Sequence, residues 1–379
     1  MRRSVRTRRR DGGWPAERGP GFAAQVLRGL AQVMFLARPW AGAVVCLALS
    51  AADWRYAVYA AGGAALGTGT ARALGVARDR LAPGLEGCNP ALVALCCAAL
   101  LGPDRPATAL LAAVGSVVGT VLTAAAARVL RVWGLPPLTL PYCVLAVAIS
   151  AAAPAFARVR PYGDGLAALP GAASGPAAPR PEELRPEELA RAFLHNVSQV
   201  FFLEHWQAGA LLLAALFLAS RTAGLAACAG SATGMATAWA LGAPAERITD
   251  GTMGCNAVLV ALALCGVFLP ASPVTLLYAL LGAATATVLT PAVAALLAPS
   301  GGQAFTWPFV LTTLGFLAAA GAFPRLTAPG PAPGRVARPP YMPGIIRPGR
   351  TLITPDCPVR GGDAPRPERK RERSRSSAR

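Results

Sequence analysis

The chain has 379 residues, of which 54% are hydrophobic and 14% charged, with a mean hydropathy of +0.46; that excludes an ordinary water-soluble domain of this length. Its 36 basic and 18 acidic residues give a formal charge of +18, but residues 1–20 carry +5 of it and residues 324–379 carry +9. The middle of the chain therefore lacks the basic surface that nucleic-acid binding needs. The only lysine, Lys370, lies in the last of these segments, which excludes a P-loop ATPase and a buried Schiff-base lysine.

In chain order, residues 1–20 form a basic tail that the positive-inside rule holds in the cytoplasm. It runs into Gly and Pro rather than into a compact apolar stretch with a cleavage site, so it is not read as a removed signal peptide. A first block, 21–157, holds apolar runs at about 22–36, 41–52, 56–76, 88–102, 107–131 and 139–157. Residues 158–191, with five Arg and five acidic residues, read as a neutral, flexible connector outside the cytoplasm. A second block, 192–323, repeats the pattern at about 192–203, 207–220, 222–243, 255–270, 273–298 and 305–323. Residues 324–379 form a basic, Pro-rich, disordered cytoplasmic tail. The nine cysteines lie almost entirely in apolar runs without metal-ligand or redox spacing, so they read as packing residues, with no metal or cofactor implied.

Sliding the sequence by 167 residues aligns the two blocks without a gap. Gln32, Val33 and Phe35 fall on Gln199, Val200 and Phe202; Gly84, Cys88 and Asn89 fall on Gly251, Cys255 and Asn256. Leu92 falls on Leu259, Thr120 and Thr123 on Thr287 and Thr290, and Thr139 with Pro141 on Thr306 with Pro308. Polar and aromatic residues do not coincide this often by chance, so the chain is a duplication. Several runs are too short to span. If one run per block dips in and returns, each block crosses five times and the second enters upside down relative to the first. Ten crossings then put both basic termini on one side.

In such an architecture the solute path lies between the blocks, and the repeated polar residues mark it. Pro136, Pro137, Pro141 and Pro308 suggest freed carbonyls lining a cavity, with a hydroxyl each from Thr139 and Thr306; the competing reading is that these prolines merely kink helices. Asn89 and Asn256 suit N-caps of their own helices. Leu92 and Leu259 either narrow a passage or pack. Gln32 and Gln199 need partners, protein or solute. His195 and His205 have no counterpart in the first block, which favours a structural or interfacial role over a proton relay, and Glu86, Glu204, Glu246 and Asp250 fall at the ends of runs, where water reaches them. With no paired carboxylate or histidine at the repeat, such a path selects a neutral polar solute.

These residues resemble the urea transporter family, from about residue 25 to 323. The stretches Arg28 to Phe35 and Val197 to Phe202 look like its paired pore-helix motif, and Leu135-Pro136-Pro137-Leu138-Thr139-Leu140-Pro141-Tyr142 like its Leu-Pro-x-Leu-Thr-x-Pro-Phe signature, with Thr306-Trp307-Pro308-Phe309 as a partial second copy. The resemblance implies an all-α polytopic protein of two inverted repeats, each with five transmembrane helices and one re-entrant pore helix. It also implies a pore in every protomer of a homotrimer, in the inner (cytoplasmic) membrane and in contact with lipid. It implies passive conduction of urea, without enzymatic chemistry. By this likeness Gln32 and Gln199 meet urea near the ends of the filter, Val33, Phe35, Leu92, Val200, Phe202 and Leu259 form the slot, and Thr139 and Thr306 line its middle. The family usually carries an aromatic residue where this chain has Cys88 and Cys255, which widens the slot and extends the expected solutes to small amides or ammonia. The rival classes are an ion-coupled transporter of a small metabolite and an intramembrane enzyme; neither H-E-x-x-H nor G-x-S-x-G occurs.

Overall fold

The computed structural model describes residues 21–156, 158, 185–300 and 303–326. The expectations for residues 1–20 and 327–379, and for 159–184 of the connector, lie outside the described residues. Among the described residues all regular structure is helical. The first block contains α1 (Phe22–Ala31), α2 (Pro39–Ala52), α3 (Trp54–Ala73), α4 (Arg78–Leu81), α5 (Leu85–Leu101), α6 (Pro106–Leu130) and α7 (Leu140–Ala152). The second contains α8 (Pro186–Ser198), α9 (Trp206–Ala219), α10 (Arg221–Ala240), α11 (Ala245–Thr249), α12 (Cys255–Leu262), α13 (Pro273–Leu297) and α14 (Trp307–Ala320), in the same order.

The sequence makes α6 and α13 membrane helices by inverting the usual pattern. Each begins with Pro at its first position and runs 25 residues, about 37 Å at 1.5 Å per residue and so longer than a hydrocarbon layer of roughly 30 Å. Small residues face inward, Ala112, Gly115, Ser116 and Thr120 in α6, and Ala279, Gly282, Ala283 and Thr287 in α13. Leu110, Val114 and Val121 on α6, with Leu277, Leu281 and Val288 on α13, are exposed. Close packing of small residues drives association where the surroundings are as apolar as leucine. The inward hydroxyls bond their own helices: Thr120 Oγ1 donates to the Ser116 carbonyl at 3.1 Å and Thr123 Oγ1 to Gly119 at 2.7 Å, and Thr287 and Thr290 do the same to Ala283 and Ala286 at 3.1 and 2.9 Å.

These two helices are long and apolar enough to cross a membrane, and the number rises to four if each of two bent pairs is one span. The bent pairs are α1 with α2, at 74°, and α8 with α9, at 79°. In each, a single 3-10 turn (Gln32–Met34, Gln199–Phe201) ends on a phenylalanine in the left-handed region, Phe35 and Phe202, both at φ 60°. The bend is locked by Gly42 and Gly209, where an added Cβ would lie 1.8 Å from the Leu27 carbonyl oxygen and 2.0 Å from that of Leu194. The apolar helices α5, α7, α12 and α14 complete a multi-pass membrane protein.

The structure departs from the sequence reading in two elements. The last residues of the supposed connector, from Pro186, already belong to α8: Pro186 takes the first helical position and Glu188 Oε2 accepts the Arg185 N–H at 2.9 Å, a start signal hidden inside a polar stretch. The apolar run at 255–270 is not one helix. Beyond α12 the chain breaks at Cys265 (φ −102°, ψ 90°) and Gly266 (φ 100°), whereas α5 continues unbroken to Leu101. Gly266 reaches a positive φ without the Cβ clash that Ala99, its counterpart, would meet.

Candidate functional site

The two blocks meet through α2 against α9 and α7 against α14. At the centre of that seam Thr139 and Thr306, each the N-cap of its block's last helix, share a hydrogen bond between hydroxyls, 2.8 Å long, and Cys143 Sγ lies 3.1 Å from Thr306 Oγ1. Two aromatic contacts across the seam are reciprocal. Phe35 of the first block packs on Phe309 of the second at 6.2 Å between ring centroids, and Phe202 of the second packs on Tyr142 of the first at 6.4 Å. Residues 35 and 202, and 142 and 309, are equivalent under the offset, so this is the exchange of partners that an isologous contact gives. Phe268, on the broken end of α12, adds an edge contact to Phe35 at 5.9 Å.

The helix starts at the seam account for every backbone donor. In α7 the Leu140 N–H donates to Pro137, Pro141 has none, the Tyr142 N–H donates to Asn89 Oδ1 at 3.3 Å, and the Cys143 N–H donates to Thr139. In α14 the Trp307 N–H donates to Ala304, Pro308 has none, the Phe309 N–H donates to Asn256 Oδ1 at 3.2 Å, and the Val310 N–H donates to Thr306. Asn89 Nδ2 also donates to the Leu138 carbonyl at 3.1 Å and Asn256 Nδ2 to that of Phe305 at 3.3 Å. The two asparagines therefore cap a neighbouring helix rather than their own, which corrects the N-cap expectation; each sits inside a helix whose own start is already turned by the preceding glycines. Pro141 and Pro308 likewise sit in first turns, where a missing N–H orphans no helical carbonyl, and Pro136 and Pro137 precede α7, so the freed-carbonyl reading fails in that form. Leu138 and Phe305 are held at φ 49° and 43°; with Phe35 and Phe202 they are the positive-φ residues other than glycine among the described ones, and they form two pairs at the offset of 167.

At the outer parts of the site the glutamines find protein partners: Gln32 Nε2 donates to the Pro83 carbonyl at 2.8 Å and Gln199 Nε2 to that of Asp250 at 2.9 Å. One carbonyl earlier, Arg28 donates to Ala82 at 2.7 Å and the His195 Nδ1–H donates to Thr249 at 2.6 Å. His195 thus has a counterpart after all, Arg28, performing the same bond; His205 aligns with Arg38, and both are N-caps, of α9 and α2. The two blocks use different side chains for one geometry, so the match does not show as identity. The same substitution occurs at Asp53 and Ser220, which cap α3 and α10 through the Arg55 and Ala223 N–H groups.

Val33, Cys88, Leu92, Val200, Phe202, Cys255 and Leu259 all enter one buried apolar cluster, against which Phe35 packs. Charge is kept away from it. Glu86 is not reached by water as expected but buried at 5% exposure, because it lies in the first turn of α5 under α4, and Arg80 pairs with it at 3.1 Å. Glu204 and Glu246 are exposed. Outside the apolar segments, Asp53 is held below the usual carboxylate range by its hydrogen bond from the Arg55 side chain, against the opposing effect of its partial burial. Among the described residues no three His, Cys, Asp or Glu side chains gather as metal ligands do.

Comparison with known proteins places these observations. The family model described as "Urea transporter" matches residues 23–321. The protein named "Urea transporter 1" of Ovis aries is 30% identical over 298 residues, which cover 78% of this chain and 76% of that protein. The protein of the same name from Mus musculus is 30% identical over 303 residues, with the same coverage.

Proposed function

The chain belongs to the urea transporter family, and from that membership we propose that it conducts urea passively across the cytoplasmic membrane, with both termini inside, as a homotrimer with one path per protomer. The two blocks are inverted repeats, each with five crossings and one re-entrant helix, meeting around the path. Reciprocal contacts across the seam support this arrangement, and the duplicated bends at 74° and 79° support assigning the entering and returning segments to these two pairs.

The observation that carries the reading is the uncharged seam itself, two hydroxyls joined at 2.8 Å inside a cluster of aliphatic and aromatic side chains. Urea is flat and neutral, with donors on its edges. It gives up hydration on entry, and each hydrogen bond left unreplaced costs about 1 to 3 kcal/mol. Thr139 and Thr306 replace bonds at the centre. The carbonyls of Pro83, Asp250, Leu138 and Phe305, each engaged by one side-chain donor, keep a second lone pair for a passing N–H. Gln199 adds a buried Oε1 without a hydrogen-bond partner. The apolar walls are Val33, Phe35, Leu92, Val200, Phe202 and Leu259, with Cys88 and Cys255 giving a wider slot that also passes small amides.

Stopped-flow light scattering on proteoliposomes tests this. Urea influx is expected without any ion gradient, and Thr139→Val or Thr306→Val lowers it about fivefold, the equivalent of one net hydrogen bond of about 1 kcal/mol. Influx that requires a sodium or proton gradient would overturn the channel.

A further inference from the structure

An N-cap threonine ordinarily turns its hydroxyl onto the N–H two or three residues ahead, because that donor has no partner within the helix. Thr139 and Thr306 do not, and neither side chain caps its own helix. The donor each would satisfy, on Tyr142 and Phe309, is already taken by an asparagine from another helix, Asn89 on α5 and Asn256 on α12. Both asparagines are buried, at 2% and 0% exposure, and each uses its amide at both ends: the oxygen accepts the third N–H of the helix, and the nitrogen donates to the carbonyl of the left-handed residue just before the threonine. The same two bonds occur in each block.

Resting on the urea-channel reading of the site, we propose that Asn89 and Asn256 are positioning residues of the conduction path: by capping the seam helices from outside, they release the Thr139 and Thr306 hydroxyls to face each other and the solute. Without the asparagine oxygen the threonine folds back onto its own helix, because the N-cap hydroxyl is the ordinary partner of the N–H thus orphaned, and the seam loses a hydroxyl. Without the asparagine nitrogen, the strained residue before the threonine loses the bond that holds its carbonyl.

The test uses full-length protein in liposomes. Asn89→Leu and Asn256→Leu are each expected to lower urea permeability about tenfold, and Thr139→Val added to Asn89→Leu is expected to cost little more, since both act through one hydroxyl. Asn89→Asp keeps the fold testable where the leucine variant fails to assemble. A buried, protonated aspartic acid reproduces both bonds, its O–H donating to Leu138 and its C=O accepting from Tyr142, whereas the ionised form has no donor. Its urea flux, divided by that of the unmodified protein, should therefore fall reversibly as pH rises across roughly pH 5 to 9; a side chain that only fills space gives a flat ratio. A flat ratio near one, or full additivity of the double variant, would overturn the proposal. If the unmodified protein carries no urea, the channel reading fails separately, and amide hydrogen exchange decides the positioning role: faster exchange at Tyr142 in Asn89→Leu, which has no oxygen to accept that N–H, upholds it, and unchanged exchange refutes it.

Discussion

At the scale of single residues the chain repeatedly reaches one geometry with two different side chains. Asp53 and Ser220 start α3 and α10 from the same extended backbone, φ −159° and −162°. Removing such a cap costs about 0.5 to 2 kcal/mol, so Asp53→Ala should lower the melting temperature in detergent. The pH dependence has a fixed sign. Because Arg55 depresses the folded-state value of Asp53, the stability this carboxylate contributes is present above its unfolded value and lost as pH falls through the depressed one. The melting difference between the natural chain and Asp53→Asn should accordingly shrink on acidification, and a gap that widens instead would reject the Arg55 pairing. Cys88 and Cys255 carry a different prediction. Replacing both with Phe should narrow the slot and raise the ratio of urea to acetamide flux several-fold, measured in the same vesicles; an unchanged ratio would remove these positions from the path.

At the scale of elements, the bent pairs depend on two glycines more than on any polar contact. At Gly42 and Gly209 even a methyl group would collide with main-chain oxygen, which no rotamer change relieves. Gly42→Ala and Gly209→Ala are expected to destabilise by about 3 kcal/mol, at the upper end of overpacking costs, seen as aggregation or loss of the monodisperse peak on size exclusion. The apolar runs gave the long helices away, since α6 and α13 lie within a residue or two of the expected spans at 107–131 and 273–298. Hydropathy failed where backbone conformation decides. The start of α8 is written in Pro186 and Glu188 within a charged stretch, and the short α4 and α11 have no apolar run to announce them. The break at Cys265 and Gly266 lies inside a run as hydrophobic as its unbroken counterpart, so only the glycine could have signalled it.

At the scale of the whole molecule, the offset of 167 pairs Thr139 with Thr306 but does not show the bond between them. Thr139 and Thr306 were legible as a pair because they are identical; that they touch was not, because nothing in a linear sequence orders two helix ends face to face. Arg28 and His195 share no identity; what pairs them is the carbonyl each one holds. The proposed arrangement makes a topological prediction. Epitope tags at the two ends should be accessible from the cytoplasmic side alone, and one inserted between residues 165 and 178 from the opposite side; tags at the two ends found on opposite faces would mean an odd number of crossings.

Two identical alcohols facing one another near a local dyad cannot both give a proton to the other, so the bond between Thr139 and Thr306 has a polarity that the heavy atoms leave open. Rotating two O–H vectors reverses it while every carbon stays in place. On the proposed path the pair can therefore offer a lone pair to a solute arriving from one side and a hydrogen to the same solute as it departs, which serves traffic in both directions equally. The thiol of Cys143, matched by Val310 under the offset, is one group that makes the two orientations unequal.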